Sequence, residues 1–445
     1  MTVRKPLVLA ICCMSLFIVG LDATIVNLAL PSIRAEFGAS VTQLQWTVDA
    51  YTLVLAALLV LSGSTADRLG RRRTFQVGLV LFSVGSLLCS IAPTVGLLIV
   101  FRMVQAAGGS MLNPVAMSII TNTFTERRER ARAIGVWGGV VGLSMAAGPL
   151  VGGALVQTIG WRSIFWLNVP VGVLAVVLTA LFVPESRADR PRKLDPVGQL
   201  LVVLILAGTV FGIIEGPGTG WGSPLIVGSF VVAALALVTL LRYEPTREDP
   251  LLELRFFRSV PFSGATVIAV CAFASLGGFL FLNSIYLQET RGFSALHAGL
   301  LTLPMAAMTA VFAPLSGRIV GTWGARVPLV IAGIGLTIAG LLLTTITPTS
   351  PIPLLVVAYA VFGIGFGMVN APITNTAVSG MPKEQAGVAA AIASTSRQVG
   401  AALGVALIGA FAGGVAGWWI IAGCGAAVAV LGLATTGQRA LKSVL

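Results

Sequence analysis

Gly63-Ser64-Thr65-Ala66-Asp67-Arg68-Leu69-Gly70-Arg71-Arg72-Arg73 is a knot of charge and glycine set between two long apolar stretches. It recurs in weakened form as Gly317-Arg318-Ile319-Val320-Gly321-Thr322-Trp323-Gly324-Ala325-Arg326, 254 positions on. Asn113-Pro114 is echoed in the same way near Asn370-Ala371-Pro372. Self-similarity at a fixed offset marks a chain built from related halves. The second copies keep glycines but lack counterparts of Asp67 and Arg102, so ionisable chemistry is expected in the first half.

The surroundings of both copies are apolar. Of 445 residues, 56% belong to the set AVILMFWYC and only 10% are charged. A soluble domain carries roughly a quarter charged residues, and so few ionic groups cannot cover a water-facing surface. Composition therefore excludes a soluble enzyme and a disordered chain. A bilayer-spanning helix needs about 20 mostly apolar residues. Fourteen such stretches follow one another, centred near Phe17, Ala56, Phe82, Gly108, Ser144, Leu174, Ile205, Val232, Ser275, Ala307, Gly335, Val361, Leu403 and Val428. Unpaired backbone groups are too costly in lipid and the alternation of a barrel is missing, so every span is predicted helical. The fold class is all-α integral membrane. The offset of 254 equals eight spans, which a six-span repeat with two inserted spans explains. The predicted organisation is a six-helix half over 1–190, two inserted helices with flanking cytoplasmic loops over 191–258, and a second six-helix half over 259–445.

A net charge of +12 raises the question of nucleic acid. Placement of the charges answers it. With the N-terminus inside, two of the 28 Lys and Arg lie within spans (Arg102, Arg397) and three fall outside (Arg34, Arg162, Arg291). The rest fall inside, in clusters such as Arg68 with Arg71–Arg73, Arg127–Arg132, Arg187–Lys193 and Arg242–Arg258. That asymmetry is the positive-inside pattern, with both termini cytoplasmic. No nucleic-acid partner is expected. The run after Arg4 and Lys5 reads as a first span and not as a cleaved signal peptide. Arginine far outnumbers lysine and alanine and glycine abound, which suggests a GC-rich bacterium and its cytoplasmic membrane.

Cys12, Cys13, Cys89, Cys271 and Cys424 are odd in number and show no C-x-x-C spacing. They read as apolar packing residues, with no metal site. No H-E-x-x-H, G-x-S-x-G or P-loop occurs, so neither enzyme chemistry nor nucleotide drive is expected within this chain.

Four motifs in order resemble those of the major facilitator superfamily and, within it, the fourteen-span drug:proton antiporters. Gly63–Arg73 is similar to the superfamily's loop motif between spans two and three. Leu21-Asp22-Ala23-Thr24-Ile25-Val26-Asn27-Leu28-Ala29-Leu30-Pro31 is similar to the first-span motif of the fourteen-span group. Arg102 with Gln105, Gly108 and Gly109 resembles the fourth-span motif, with Ala106 where glycine is usual. Gly148-Pro149-Leu150-Val151-Gly152-Gly153 resembles the fifth-span antiporter signature, with Ser144 where glycine is usual. The resemblance covers essentially the whole chain. It implies two halves working by alternating access, a proton gradient as driving force with no cofactor, a drug-like substrate, and a monomer in the lipid bilayer.

The residues themselves suit that chemistry. Asp22 reads as the only acidic group clearly within a span, about two thirds along the first. An intramembrane carboxylate is costly and normally faces a cavity or partner. It is a proton-binding or gating group, or else it bonds a helix end near the outer interface. Arg102 opens the fourth span facing inward with Gln105. The resemblance implies a proton-relay role for it, and the alternative is snorkelling to the outer interface. Asp22 and Arg102 are the expected proton-coupling pair. Asn27, Gln105, Asn113, Asn283, Asn370 and Arg397 are cavity candidates. Gly63, Asp67, Arg68, Gly70 and Arg71 form an expected conformational latch in a cytoplasmic loop. Gly148, Pro149, Gly152 and Gly153 serve tight packing and a kink. Asp49 reads as lying at the outer mouth of the second span. One buried carboxylate favours neutral, weakly cationic or zwitterionic substrates over strong dications. A single-metabolite exporter or a proton-coupled importer of the same fold remains the alternative, and a non-transporting sensor fits less well.

Overall fold

In the computed structural model, which describes residues 4–188, 194–379, 386–411 and 414–437, the apolar stretches become fourteen helices of membrane-crossing length. They are Lys5–Phe37, Val41–Leu69, Arg71–Ser90, Val95–Thr123, Arg128–Thr158, Ser163–Phe182, Pro196–Thr219, Pro224–Thr246, Val260–Thr290, Ala295–Trp323, Arg326–Thr344, Ile352–Val378, Val388–Gly409 and Ala416–Thr435, called spans 1 to 14 here. Each expected centre falls inside one of them. No strand occurs among the described residues.

Local chemistry sets the helix ends. Span 1 stops at Gly38, in a left-handed conformation (φ 62°) that glycine adopts without strain. Span 2 starts at Ser40, whose hydroxyl accepts from the Gln43 N–H while the Gln43 side chain answers the Ser40 N–H. Thr94 caps span 4 through the Leu97 N–H. Span 6 is broken at Leu167, and span 12 at Met368 and Val369.

The chain forms two compact units, 1–195 with 294–300 and 196–293 with 301–445. The expected boundary at 190/191 lies among residues 189–193, outside the described residues, as does most of the Arg187–Lys193 cluster. The inserted spans 7 and 8 pack on one another within the second unit, where span 7 also meets span 13. In the first unit, spans 3 and 4, 2 and 4, 1 and 5, and 3 and 6 are the main neighbours. Small residues bring the backbones together: a Cβ on Gly85 would meet the Gln105 backbone at 2.5 Å, so span 4 lies directly against span 3 there. In the second unit, spans 9 and 13 meet in the same way at Gly277 and Ala401.

Candidate functional site

The first unit buries a polar cluster where an apolar bundle has no packing need for one. Asp22 sits midway along span 1, since that helix continues to Phe37 rather than ending near Ile33. Arg102 lies two turns into span 4. Their side chains are 0% and 1% exposed and meet at 2.5 Å, Nη1 to Oδ2. The same Nη1 donates to Gln105 Oε1 at 2.6 Å, and Arg102 Nε donates to the Thr47 carbonyl at 3.3 Å. The guanidinium also stacks over the Tyr51 ring, 4.1 Å from its centroid. Arg102 therefore does not snorkel.

The carboxylate of Asp22 is answered from two helices, spans 4 and 6. Besides Arg102, Gln105 Nε2 donates to Oδ1 at 2.9 Å and Asn168 Nδ2 donates to Oδ1 at 3.1 Å. Gln105 and Asn168 both also donate to Ser86 Oγ, at 2.8 and 3.4 Å. The ion pair is thus solvated by protein dipoles rather than water, which is what a buried pair requires to be tolerated. Asp22 is not engaged with a helix end.

Ser86 and Asn168 are absent from the sequence-based candidates. Asn168 owes its inward position to the break at Leu167, which restarts the helix at Asn168 just before Pro170. A polar residue two positions before proline inside an apolar run is a signal that could have found it. Ser86 carries none, because serines occur on every face of such helices.

A second correction concerns Asp49. It lies inside span 2, not at its mouth, and is 0% exposed. Neither carboxylate oxygen has a hydrogen-bond partner among the described residues. Asp22 is therefore not the only acid within a span. Asp49 is two residues from both Thr47 and Tyr51, so on a helix it points away from the Arg102 face.

The cavity candidates divide between the two units. Gln105 joins the cluster. Asn27 is buried and donates to the Ala23 carbonyl of its own helix at 3.3 Å. Asn113 holds a side-chain oxygen without a partner among the described residues, directly before Pro114. In the second unit, Asn283 accepts the Tyr359 hydroxyl within an aromatic cluster that includes Phe279 and Phe362. Arg397 donates to the Thr374 hydroxyl, whose own proton goes to the Asn370 carbonyl at 3.1 Å.

The expected latch loop is not a loop. Gly63 to Leu69 finish span 2 and Arg71 starts span 3, so only Gly70 is non-helical. Its φ of 114° is open to glycine alone, and Gly324 holds the matching corner of the second copy at φ 81°. Asp67 pairs with Arg71 at 2.9 Å. Glu185, beyond span 6, accepts from the Arg72 N–H at 3.1 Å, while Arg71 N–H reaches the Ser186 carbonyl at 2.9 Å. The described partners of this corner all lie in the first unit. A Cβ on Gly70 would also meet the Glu185 carboxylate at 2.6 Å. Gly70→Ala is expected to cost about 1–3 kcal/mol in thermal unfolding of the purified protein. Gly63→Ala, whose Cβ would enter open space in mid-helix, is expected to be neutral or stabilising by up to about 1 kcal/mol.

The fifth-span glycines set the position of span 1. A Cβ on Gly148 would strike Thr24 Oγ1, and one on Gly152 would strike Ile25 Cγ1. One turn away, Gly20 of span 1 faces Ser144 of span 5. The departure at Ser144 is thus matched by a glycine on the opposite helix. Asp22 rides on span 1 between these contacts. Gly153 lies against the backbone of Ala295 and Leu296, in the 294–300 stretch of the same unit.

The three basic residues expected outside are only partly accounted for by charge placement. Arg162 pairs with Glu36 at 2.6 Å and reaches the Ala92 carbonyl at 3.1 Å. Arg291 donates to the Ser350 carbonyl at 2.7 Å. Both fasten connections between helices.

Comparison with known proteins agrees with this architecture. A sequence profile described as Major Facilitator Superfamily matches residues 12–405. The chain is 35% identical over 396 residues to the multidrug resistance protein Stp of Mycobacterium tuberculosis, covering 89% of this chain and 74% of that one. It is 37% identical over 407 residues to the tetracenomycin C resistance and export protein of Streptomyces glaucescens, covering 91% and 75%. Among solved structures, the crystal structure of a D-xylose-proton symporter matches with a TM-score of 0.72 at 15% identity, covering 98% of both chains.

Proposed function

The chain belongs to the major facilitator superfamily, and on that premise we propose that it exports drug-like antibiotics across a bacterial plasma membrane in exchange for protons. The observation that carries this reading is the buried Asp22–Arg102 pair with its Gln105, Asn168 and Ser86 dipoles. A well-packed apolar core would be at least as stable without such a pair. Ionisable groups inside membrane helices mark ion and substrate paths. The names of the relatives supply the substrate class: multidrug resistance for one, resistance to and export of an antibiotic for the other.

In the proposed cycle, Asp22 takes a proton from outside. Its charge is then no longer available to Arg102, which falls back on Gln105, the Thr47 carbonyl and the Tyr51 ring. Span 1 is thereby released from spans 4 and 6. Its small-residue contacts with span 5 carry that shift along the helix. Asp49 serves as a second proton-carrying carboxylate, since an ionised group without a donor is costly in an apolar interior. The Gly70 corner, with Asp67, Arg68 and Arg71, acts as the latch whose making and breaking accompanies alternating access. The proton gradient suffices as driving force, without a cofactor. A monomer with both termini cytoplasmic completes the reading, and the single-metabolite exporter is its alternative.

Inverted membrane vesicles test it. Collapsing the pH gradient is expected to lower substrate uptake by about tenfold or more, the scale of a coupling free energy of 1–3 kcal/mol. Proton release on drug addition should vanish in Asp22→Asn and weaken in Asp49→Asn. Uptake indifferent to the gradient would refute proton coupling. A susceptibility panel in an efflux-deficient host separates the alternatives: resistance to many unrelated compounds supports the multidrug reading, and resistance to one supports a dedicated pump.

A further inference from the structure

An open groove of about 290 Å³ lies beside the Gly70 corner, where the adjoining ends of spans 2 and 3 meet the side of span 4. Its floor is apolar, formed by Leu69, Val77 and Met111. Three guanidiniums, Arg68, Arg73 and Arg187, line it. All of these residues belong to the first unit.

The charge around the groove is not balanced. Asp67 is engaged by Arg71 at 2.9 Å. The Glu185 carboxylate accepts from the Arg72 and Ser186 N–H groups at 3.1 and 3.0 Å and comes only within 3.8 Å of Arg73. Arg68 and Arg187 have no acidic partner among the described residues. A surplus of positive charge is thus held at a helix end, where the hydrocarbon region gives way to headgroups.

The apolar floor does not stop at the groove. Leu69 and Val77 are 61% and 51% exposed, and the exposed face of span 3 runs on through Val80 and Val84 at helical spacing. In a membrane-crossing helix that face meets acyl chains. A soluble anion would have use for the guanidiniums but not for the stripe. A neutral lipid would have use for the stripe but not for the surplus of guanidinium charge.

We propose that this groove holds an anionic phospholipid, its phosphate among Arg68, Arg73 and Arg187 and one acyl chain on Leu69, Val77 and Met111, continuing along Val80 and Val84. The site is separate from the Asp22–Arg102 cluster and does not depend on the direction of transport. Its occupant ties a headgroup to the single non-helical residue between spans 2 and 3.

Native mass spectrometry of the full chain, released from detergent with phosphatidylglycerol, phosphatidylcholine or glycerol 3-phosphate, tests this. Phosphatidylglycerol is expected to bind in preference to phosphatidylcholine. The double variant Arg73→Gln/Arg187→Gln should weaken it about 25-fold, roughly fivefold per guanidinium near a membrane surface. Arg255→Gln/Arg258→Gln, which removes the same charge elsewhere, should bind it as the parent does. Val77→Gln tests the apolar half without touching the arginines, and is expected to weaken phosphatidylglycerol while leaving glycerol 3-phosphate unchanged. Equal binding of phosphatidylcholine, unchanged binding by the Arg73/Arg187 double variant, or full competition by glycerol 3-phosphate would each overturn the proposal. The last result would assign the groove to a soluble phosphate instead.

Discussion

Arg102→Leu is expected to destabilise the protein by about 3–5 kcal/mol and to abolish export. The substitution removes the cation but leaves Asp22 fully buried with only Gln105 and Asn168 as donors. An uncompensated charge in an apolar interior is the costly outcome, more so than losing the pair altogether. Asp22→Asn is milder for folding, because an amide of the same shape keeps an acceptor for Gln105 and Asn168. The informative variant is Asp22→Asn/Arg102→Leu, which should recover most of the stability lost by Arg102→Leu while transport stays absent. Thermal unfolding of the purified variants, read beside drug resistance in cells, separates the two effects. Strictly additive stability losses would show that the two side chains do not act as a pair.

Gly148→Ala should act at a distance on the same site. Its Cβ would occupy the space of Thr24 Oγ1, forcing span 1 off span 5. Overpacking of this kind costs about 1–3 kcal/mol, and here it also displaces the helix that carries Asp22. Loss of resistance out of proportion to lost stability is therefore expected. The control lies on the other helix. Among the described residues Thr24 Oγ1 bonds to the carbonyls of its own preceding turn, Gly20 and Leu21, so Thr24→Ala alone should be close to neutral. Thr24→Ala/Gly148→Ala should recover part of both stability and resistance, since the hydroxyl is gone but the Cβ at position 24 stays 2.9 Å from the added methyl. Gly153→Ala offers no such rescue, because its Cβ would meet backbone at Ala295 and Leu296 rather than a removable hydroxyl. A Gly148→Ala defect left undiminished in the double variant would mean the contact is not what the glycine protects.

The buried Asp22–Arg102 cluster was legible only in part. Asp22 and Arg102 stood out because charge is rare in these spans and each lies well inside an apolar run. Gln105 followed from helical spacing on the Arg102 face. Asn168 and Ser86 did not, because their role depends on a helix break and on which face of span 3 meets span 4. Asp49 was misplaced for a related reason. Near the start of the second apolar run it reads as a residue of the outer mouth, and hydropathy alone does not reveal that span 2 begins at Val41 and buries its second turn. Asn27, Asn113, Asn283, Asn370 and Arg397 share one composition signal, polar atoms in a span, yet their partners differ: Arg397 and Asn370 meet through Thr374, Asn27 bonds its own helix and Asn283 takes the Tyr359 hydroxyl. Polarity in a membrane helix shows that a partner is needed without saying which.

Order along the chain determined the number of spans and their helical state. Those properties follow from the length an apolar run must have to cross lipid and from the cost of unpaired backbone there, both local to each segment. Tertiary packing decided the rest. That the Gly63–Arg73 knot is two helices meeting at one glycine, that Ser144 is accommodated by Gly20, and that Asp22 is held by donors from spans 4 and 6 all depend on how helices distant in sequence approach one another. Such approaches are set by the fit of small side chains against backbone across an interface, and no single segment contains both sides of that fit.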